Sequence, residues 1–81
     1  MSDVVFQTAE LRRIDPAVNA RRFYSLSLWP DLSGGVAVVR AWGRIGTRGQ
    51  VKADAYPSPE DAATALARLY RRKLRRGYVA L

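Results

Sequence analysis

Apolar and polar residues alternate from residue 23 to residue 29. Tyr24, Leu26 and Leu28 fall on one side, and Phe23, Ser25, Ser27 and Trp29 on the other. A period of two is the mark of a strand with one buried face. Pro30-Asp31-Leu32-Ser33-Gly34-Gly35 follows as a turn cluster. Residues 36–42, rich in valine and alanine, then read as the returning strand of a hairpin with a longer loop. Upstream, Val4-Val5-Phe6-Gln7-Thr8-Ala9 reads as a first strand, and Asp15-Pro16 opens a loop, since a residue before proline avoids the helical region. Residues 43–49 hold three glycines and read as a loop, and residues 50–56 read as a fourth strand.

The period changes after Pro57-Ser58-Pro59. Ser58 is a good N-cap, Pro59 suits the first helical position, and Asp61 lies three residues beyond Ser58 as in a capping box. Glu60 and Asp61 suit the positive start of a helix, arginines suit its end, and Gly77 is the natural stop. The helix is expected over residues 59–76, with Ala62, Ala63, Leu66, Leu69, Tyr70 and Leu74 as its apolar stripe. Arg68, Arg71, Arg72 and Arg75 follow the same spacing on another face. The expected fold is α+β: a small antiparallel sheet of about four strands with one C-terminal helix on one side, spanning residues 1–81 as one domain.

Charge changes this picture more than overall composition does. The net charge is +7, with five basic and four acidic residues in the first 40 positions but nine basic and three acidic residues in the remainder. Such asymmetry points to an anionic partner. There is no cysteine and no histidine. Disulfides, zinc sites of the usual kinds and histidine-based acid–base or nucleophilic catalysis are thereby excluded. The dispersed carboxylates and the lack of a phosphate-binding Gly-rich loop argue against an enzyme, and neither cofactor nor metal is expected. No apolar run approaches the length of a membrane span, and Met1-Ser2-Asp3 lacks the features of a secretory signal. The expected location is the cytoplasm.

One run concentrates chemistry: Trp42-Gly43-Arg44-Ile45-Gly46, with Gly49-Gln50 behind it. A ring, a guanidinium and flexible backbone suit close approach to something flat or anionic. The run also resembles the signature of the WGR domain. The resemblance extends to Asn19 ahead of Phe23-Tyr24, to Gly49-Gln50, and to an Ala-rich helix with Ser58, Ala62-Ala63, Lys73 and a closing Gly77-Tyr78. It covers essentially the whole chain in the family's order. WGR domains of DNA-break-responsive poly(ADP-ribose) polymerases contact DNA near a strand end and relay that contact to a catalytic domain. The resemblance therefore implies that Trp42 lies against a terminal sugar or base and that Arg44 reaches the DNA backbone or a neighbouring domain. No catalytic domain lies within these residues, so polymerase activity does not carry over. The chain looks more like small bacterial proteins that consist of an isolated WGR domain.

Each candidate also has a plain structural reading. Trp42 reads either as a stacking platform or as a packing aromatic of the hairpin. Arg44 and Arg48 read as phosphate forks or as solvated loop arginines, with Gly43, Gly46 and Gly49 able to add a backbone anion nest. Arg68, Arg71, Arg72 and Arg75 either track an anion or only solubilise the helix. Lys73 falls between Tyr70 and Leu74, which brings its stem toward the sheet, and Lys52 joins the same candidate surface. Tyr24, Leu26, Val38 and Leu66 read as core.

The leading expectation is a non-enzymatic nucleic-acid-binding module. DNA is favoured over RNA, with Trp42, Gly43, Arg44, Arg48, Lys52, Arg68, Arg72, Lys73 and Arg75 as its contacts. Phosphate neutralisation would supply most of the affinity. No recognition helix with base-reading side chains is evident, so binding is expected to be largely independent of sequence. The alternative is a module that docks a separate protein through the same loop. Membrane-surface binding by the basic helix is a weaker third reading, because the sheet needs the helix's apolar stripe.

Overall fold

Alternation along the strands sets the architecture. The computed structural model describes residues 8–81. They form β1 (Thr8–Asp15), a 3-10 turn (Pro16–Val18), β2 (Ala20–Pro30), β3 (Val36–Arg44), β4 (Gln50–Tyr56), α1 (Pro59–Arg75) and β5 (Val79–Ala80). The strands make one sheet in the order β4-β3-β2-β1-β5, with every neighbouring pair antiparallel. Leu11 pairs with Tyr24, Leu26 with Arg40 and Leu28 with Val38, so these side chains share one face. On that face Leu11, Tyr24, Leu26 and Val38 meet Ala62, Ala65 and Leu66 of α1 in the buried core. The small alanines let the helix axis come close to the sheet, and each fully buried leucine contributes about 1.5–3 kcal/mol.

The described residues form a five-stranded sheet, where about four strands are expected. The first strand is expected over residues 4–9, of which 4–7 lie outside the described residues. Thr8 and Ala9 open a strand that continues through Glu10, Leu11, Arg12 and Arg13 to Asp15. The charged residues disguise it, since only Leu11 of this stretch is fully buried. The two residues of β5 pair with Leu11 and Arg12, and tertiary contact alone makes them a strand. At the β1–β2 turn, Asn19 adopts φ 53° and ψ 40°, a left-handed conformation that asparagine tolerates better than most residues.

The helix begins as its signals require. Ser58 Oγ accepts from the Asp61 amide at 3.1 Å, and Pro59 is the first helical residue. At its end Tyr78 N–H donates to the Lys73 carbonyl (3.1 Å) and Gly77 N–H to that of Leu74 (3.1 Å). These two bonds form a Schellman closure, and Gly77 supplies the left-handed residue at φ 96°. Ala65 joins the buried stripe, whereas Leu74 is substantially exposed.

The largest correction concerns Gly43 and Arg44. They extend β3 beyond Trp42 rather than opening a loop, so that Trp42, Gly43 and Arg44 pair with Tyr24, Phe23 and Arg22 respectively. The turn proper starts at Ile45, whose N–H still donates to the Arg21 carbonyl at 2.9 Å. Thr47 then binds the Arg44 carbonyl through both its amide (3.0 Å) and its hydroxyl (2.8 Å). Glycine is needed here because the chain folds back on itself. A Cβ on Gly43 would lie 2.7 Å from Gly49 Cα, and a Cβ on Gly49 (φ 69°) would collide with the Trp42 carbonyl. Gly43 and Gly49 thus stand in a tight backbone-to-backbone contact.

Candidate functional site

The strand ends and the end of α1 converge on one corner of the helix-covered face. Strand parity puts Arg22 on the same side as Tyr24, and Arg40 and Arg44 on the same side as Trp42. Arg22 lies directly across the ladder from Arg44, and Arg40 directly across from Lys52. Like charges at directly opposed positions are unfavourable in themselves. The corner therefore holds charge that folding alone does not ask for.

Lys73 is its centre. The Schellman closure turns the chain so that Tyr78 comes back beside Lys73 and meets Tyr24 edge-on, with ring centroids 6.2 Å apart at 67°. The Lys73 ammonium lies 4.4 Å from the Tyr24 centroid and 5.2 Å from that of Tyr78, two cation–π contacts. Burial pushes the Lys73 pKa below the ordinary lysine value, and the charges of Arg76, Arg22, Arg40 and Arg72 lower it further. Next to it, the Arg40 guanidinium lies 5.7 Å from the Trp42 ring centroid and forms an ion pair with Asp54 at 3.4 Å. Its Nε is buried and has no hydrogen-bond partner. Trp42 is half-buried, so it packs against the core and also borders the cleft.

Three cavities adjoin here, and Lys73 lines all of them. The largest, about 540 Å³, is bounded by Arg22, Trp42, Gly43, Arg44, Lys73 and Tyr78. A second, about 220 Å³, lies between Trp42 and the helix, with Arg40, Arg72 and Arg76 around it. The third, about 300 Å³, extends the cleft to Arg13. Among the described residues, only Arg13 (with Asp15, 3.8 Å) and Arg40 have a carboxylate within ion-pair distance. Arg22, Arg44, Arg72, Lys73 and Arg76 form a cationic cleft, and none of the five has a carboxylate of the described residues within ion-pair distance.

Of the residues expected from sequence, Trp42, Gly43, Arg44, Arg72 and Lys73 come together in this cleft. Arg48 lies in the exposed turn, Lys52 is exposed on β4, and Arg68 and Arg75 lie on the exposed side of the helix. None of these four lines the cleft. Sequence reasoning missed Arg22, Arg40, Arg76 and Tyr78, and it assigned Tyr24 to the core alone. The signal for Arg22 was present, because it continues the even-numbered series Tyr24, Leu26, Leu28. Among the described residues, no group of three carboxylates is arranged to hold a metal ion, and no helix is long and apolar enough to cross a membrane.

The motif strand, the hairpin before it and the helix after it coincide with a known domain pattern: the WGR domain family model matches residues 7–81. The chain belongs to the WGR domain family. This WGR domain is 41% identical over 68 residues to the uncharacterized protein y4dW of Sinorhizobium fredii. The match covers 84% of the present chain but only 33% of that relative, so the chain spans about a third of the relative's length. No solved structure matches the chain.

Proposed function

We propose that this WGR domain is a non-catalytic module that binds nucleic acid, DNA in preference to RNA, through the cleft around Lys73 and without base-sequence selectivity. The family supports the class of ligand, since WGR domains in proteins of the poly(ADP-ribose) polymerase type generally bind nucleic acid. One observation carries the reading for this chain: five clustered cations lack a carboxylate partner among the described residues, and one of them, Lys73, has its pKa lowered by burial and by its neighbours. A phosphate entering the cleft relieves that repulsion and releases counterions from the nucleic acid. The arginines supply planar forks for phosphate oxygens, while Trp42 and Tyr78 offer ring surface to a sugar or base. The cations that surround Trp42 favour an anion over an apolar protein partner.

Fluorescence polarisation with intact-duplex, nicked-duplex and single-stranded DNA, at low and raised salt, tests this reading. Arg22→Ala, Arg44→Ala and Trp42→Ala should each weaken a salt-sensitive interaction while circular dichroism shows them folded. Binding that ignores all three substitutions, or no binding to any probe, would turn the search to acidic protein partners.

A further inference from the structure

The second strongly patterned surface lies at the far edge of the sheet. Among the described residues β4 is terminal in the strand order and pairs only with β3, so its outer side presents backbone N–H and C=O groups that no described strand pairs. Its sequence, Gln50-Val51-Lys52-Ala53-Asp54-Ala55-Tyr56, contains neither proline nor glycine. An edge lysine usually guards such a strand against pairing. Here the carboxylate two residues further on makes the edge complementary to itself.

We propose that β4 is the seam of a two-fold dimer, pairing antiparallel with the β4 of a second copy of this chain and centred on Ala53. Symmetry and side-chain alternation fix the register. If both helices are to lie on the same side of the joined sheet, opposed residues must share a face, so the axis passes through a residue rather than between two. Centring on Ala53 is the one choice that engages all seven residues of the strand. It sets Lys52 opposite Asp54 of the second copy, Val51 opposite its Ala55 and Gln50 opposite its Tyr56. Centring on Lys52 or on Asp54 instead opposes like charges.

The monomer leaves both charges ready for this. Lys52 is exposed and faces Arg40 across the ladder. The Asp54 side chain is 38% exposed beyond its contact with Arg40. Val51, 67% exposed on the face the helix does not cover, gains an apolar neighbour. Pairing of one strand buries less than a standard interface, so the dimer is a concentration-dependent one. It also sets two cationic clefts on one side of a ten-stranded sheet, with the two Trp42 positions about 25 Å apart in a flat sheet at ordinary strand spacing.

Light scattering coupled to size exclusion, over a dilution series of the full chain, tests the dimer. The wild type should move from twice the chain mass toward the chain mass on dilution. K52D and D54K should each be monomeric, and their equimolar mixture should regain the dimer, because each copy then opposes two charges of the other's opposite sign. K52D sets a carboxylate opposite Arg40, so its own fold is not at risk. D54K removes the Arg40 partner, and A53C therefore gives a test that does not depend on it. The chain has no cysteine, and the axis residue meets itself, so A53C should form an intermolecular disulfide under mild oxidation while A55C should not. A wild type that is monomeric at every concentration overturns the proposal. So does a K52D dimer of undiminished strength, or equal cross-linking of A53C and A55C. None of these outcomes depends on whether the cleft binds nucleic acid.

Discussion

A lysine held against two phenol rings and among arginines is an unusual residue to fold around, and its charge state makes that visible. The Lys73 pKa lies below the ordinary value of 10.5, with burial as the first cause and the arginines Arg76, Arg22, Arg40 and Arg72 behind it. Between the lowered pKa and 10.5 the unfolded chain binds more protons than the folded one, so this group's contribution to stability rises as pH rises through that window. An anion in the cleft acts in the opposite sense. It holds the proton on Lys73, so binding takes up a proton there and weakens as pH rises. Lys73→Arg keeps its charge throughout and should flatten that fall in affinity, which oligonucleotide titrations at increasing alkaline pH would read. Parallel pH profiles for wild type and variant would place Lys73 outside the contact. Gly49 is the complementary case, a residue whose role is space. Gly49→Ala meets both a left-handed backbone (φ 69°) and the Trp42 carbonyl. The backbone alone costs about 1–2 kcal/mol. The melting temperature should therefore drop by roughly 5 °C or more, since 1 kcal/mol corresponds to about 4–8 °C in a domain this small.

Elements whose instructions are local were legible in the sequence, and those made by distant contacts were not. The helix carries its own start and stop: Ser58 and Pro59 begin it and Gly77 ends it, all within a few residues of the bonds they make. Ser58→Ala should accordingly cost about 1 kcal/mol in a thermal melt and leave cleft binding intact. A loss of binding on a par with the loss of stability would mean that the helix start also touches the ligand. The β2–β3 hairpin was equally plain, because Tyr24, Leu26 and Leu28 alternate across a buried face. The charged β1 and the two-residue β5 exist because β2 and β1 respectively offer them a ladder, which no window of sequence displays. The same distinction explains the motif. Glycine content argues for a loop at Gly43, yet pairing with Phe23 and contact with Gly49 hold it as strand. Half the site followed from this. Trp42, Arg44 and Lys73 were visible as motif residues; alternation already puts Arg40 on the side of Trp42 and Arg22 on that of Tyr24, but only the β2–β3 register and the docked end of the helix bring all of them to one cleft.

At the scale of the whole molecule the net charge of +7 does not say where an anion would sit, because charge on the surface and charge in the cleft count alike. The structure separates them. Arg22, Arg44, Arg72, Lys73 and Arg76 converge around adjoining cavities at one corner of the helix-covered face, whereas Arg48, Arg68 and Arg75 line none of these cavities. Every cation adds to the long-range field that speeds encounter, but that field is screened beyond about 8–10 Å at physiological salt. Only a cation in contact displaces condensed counterions, at about 0.9 per phosphate neutralised on duplex DNA. The slope of log affinity against log salt therefore distinguishes the two populations. Arg22→Ala and Arg44→Ala should each lower its magnitude by about 0.9. Arg48→Ala, Arg68→Ala and Arg75→Ala should leave the slope nearly unchanged and mainly slow association at low salt. Equal losses across all five substitutions would mean that the nucleic acid is held by diffuse charge, and that the cleft around Lys73 is not its seat.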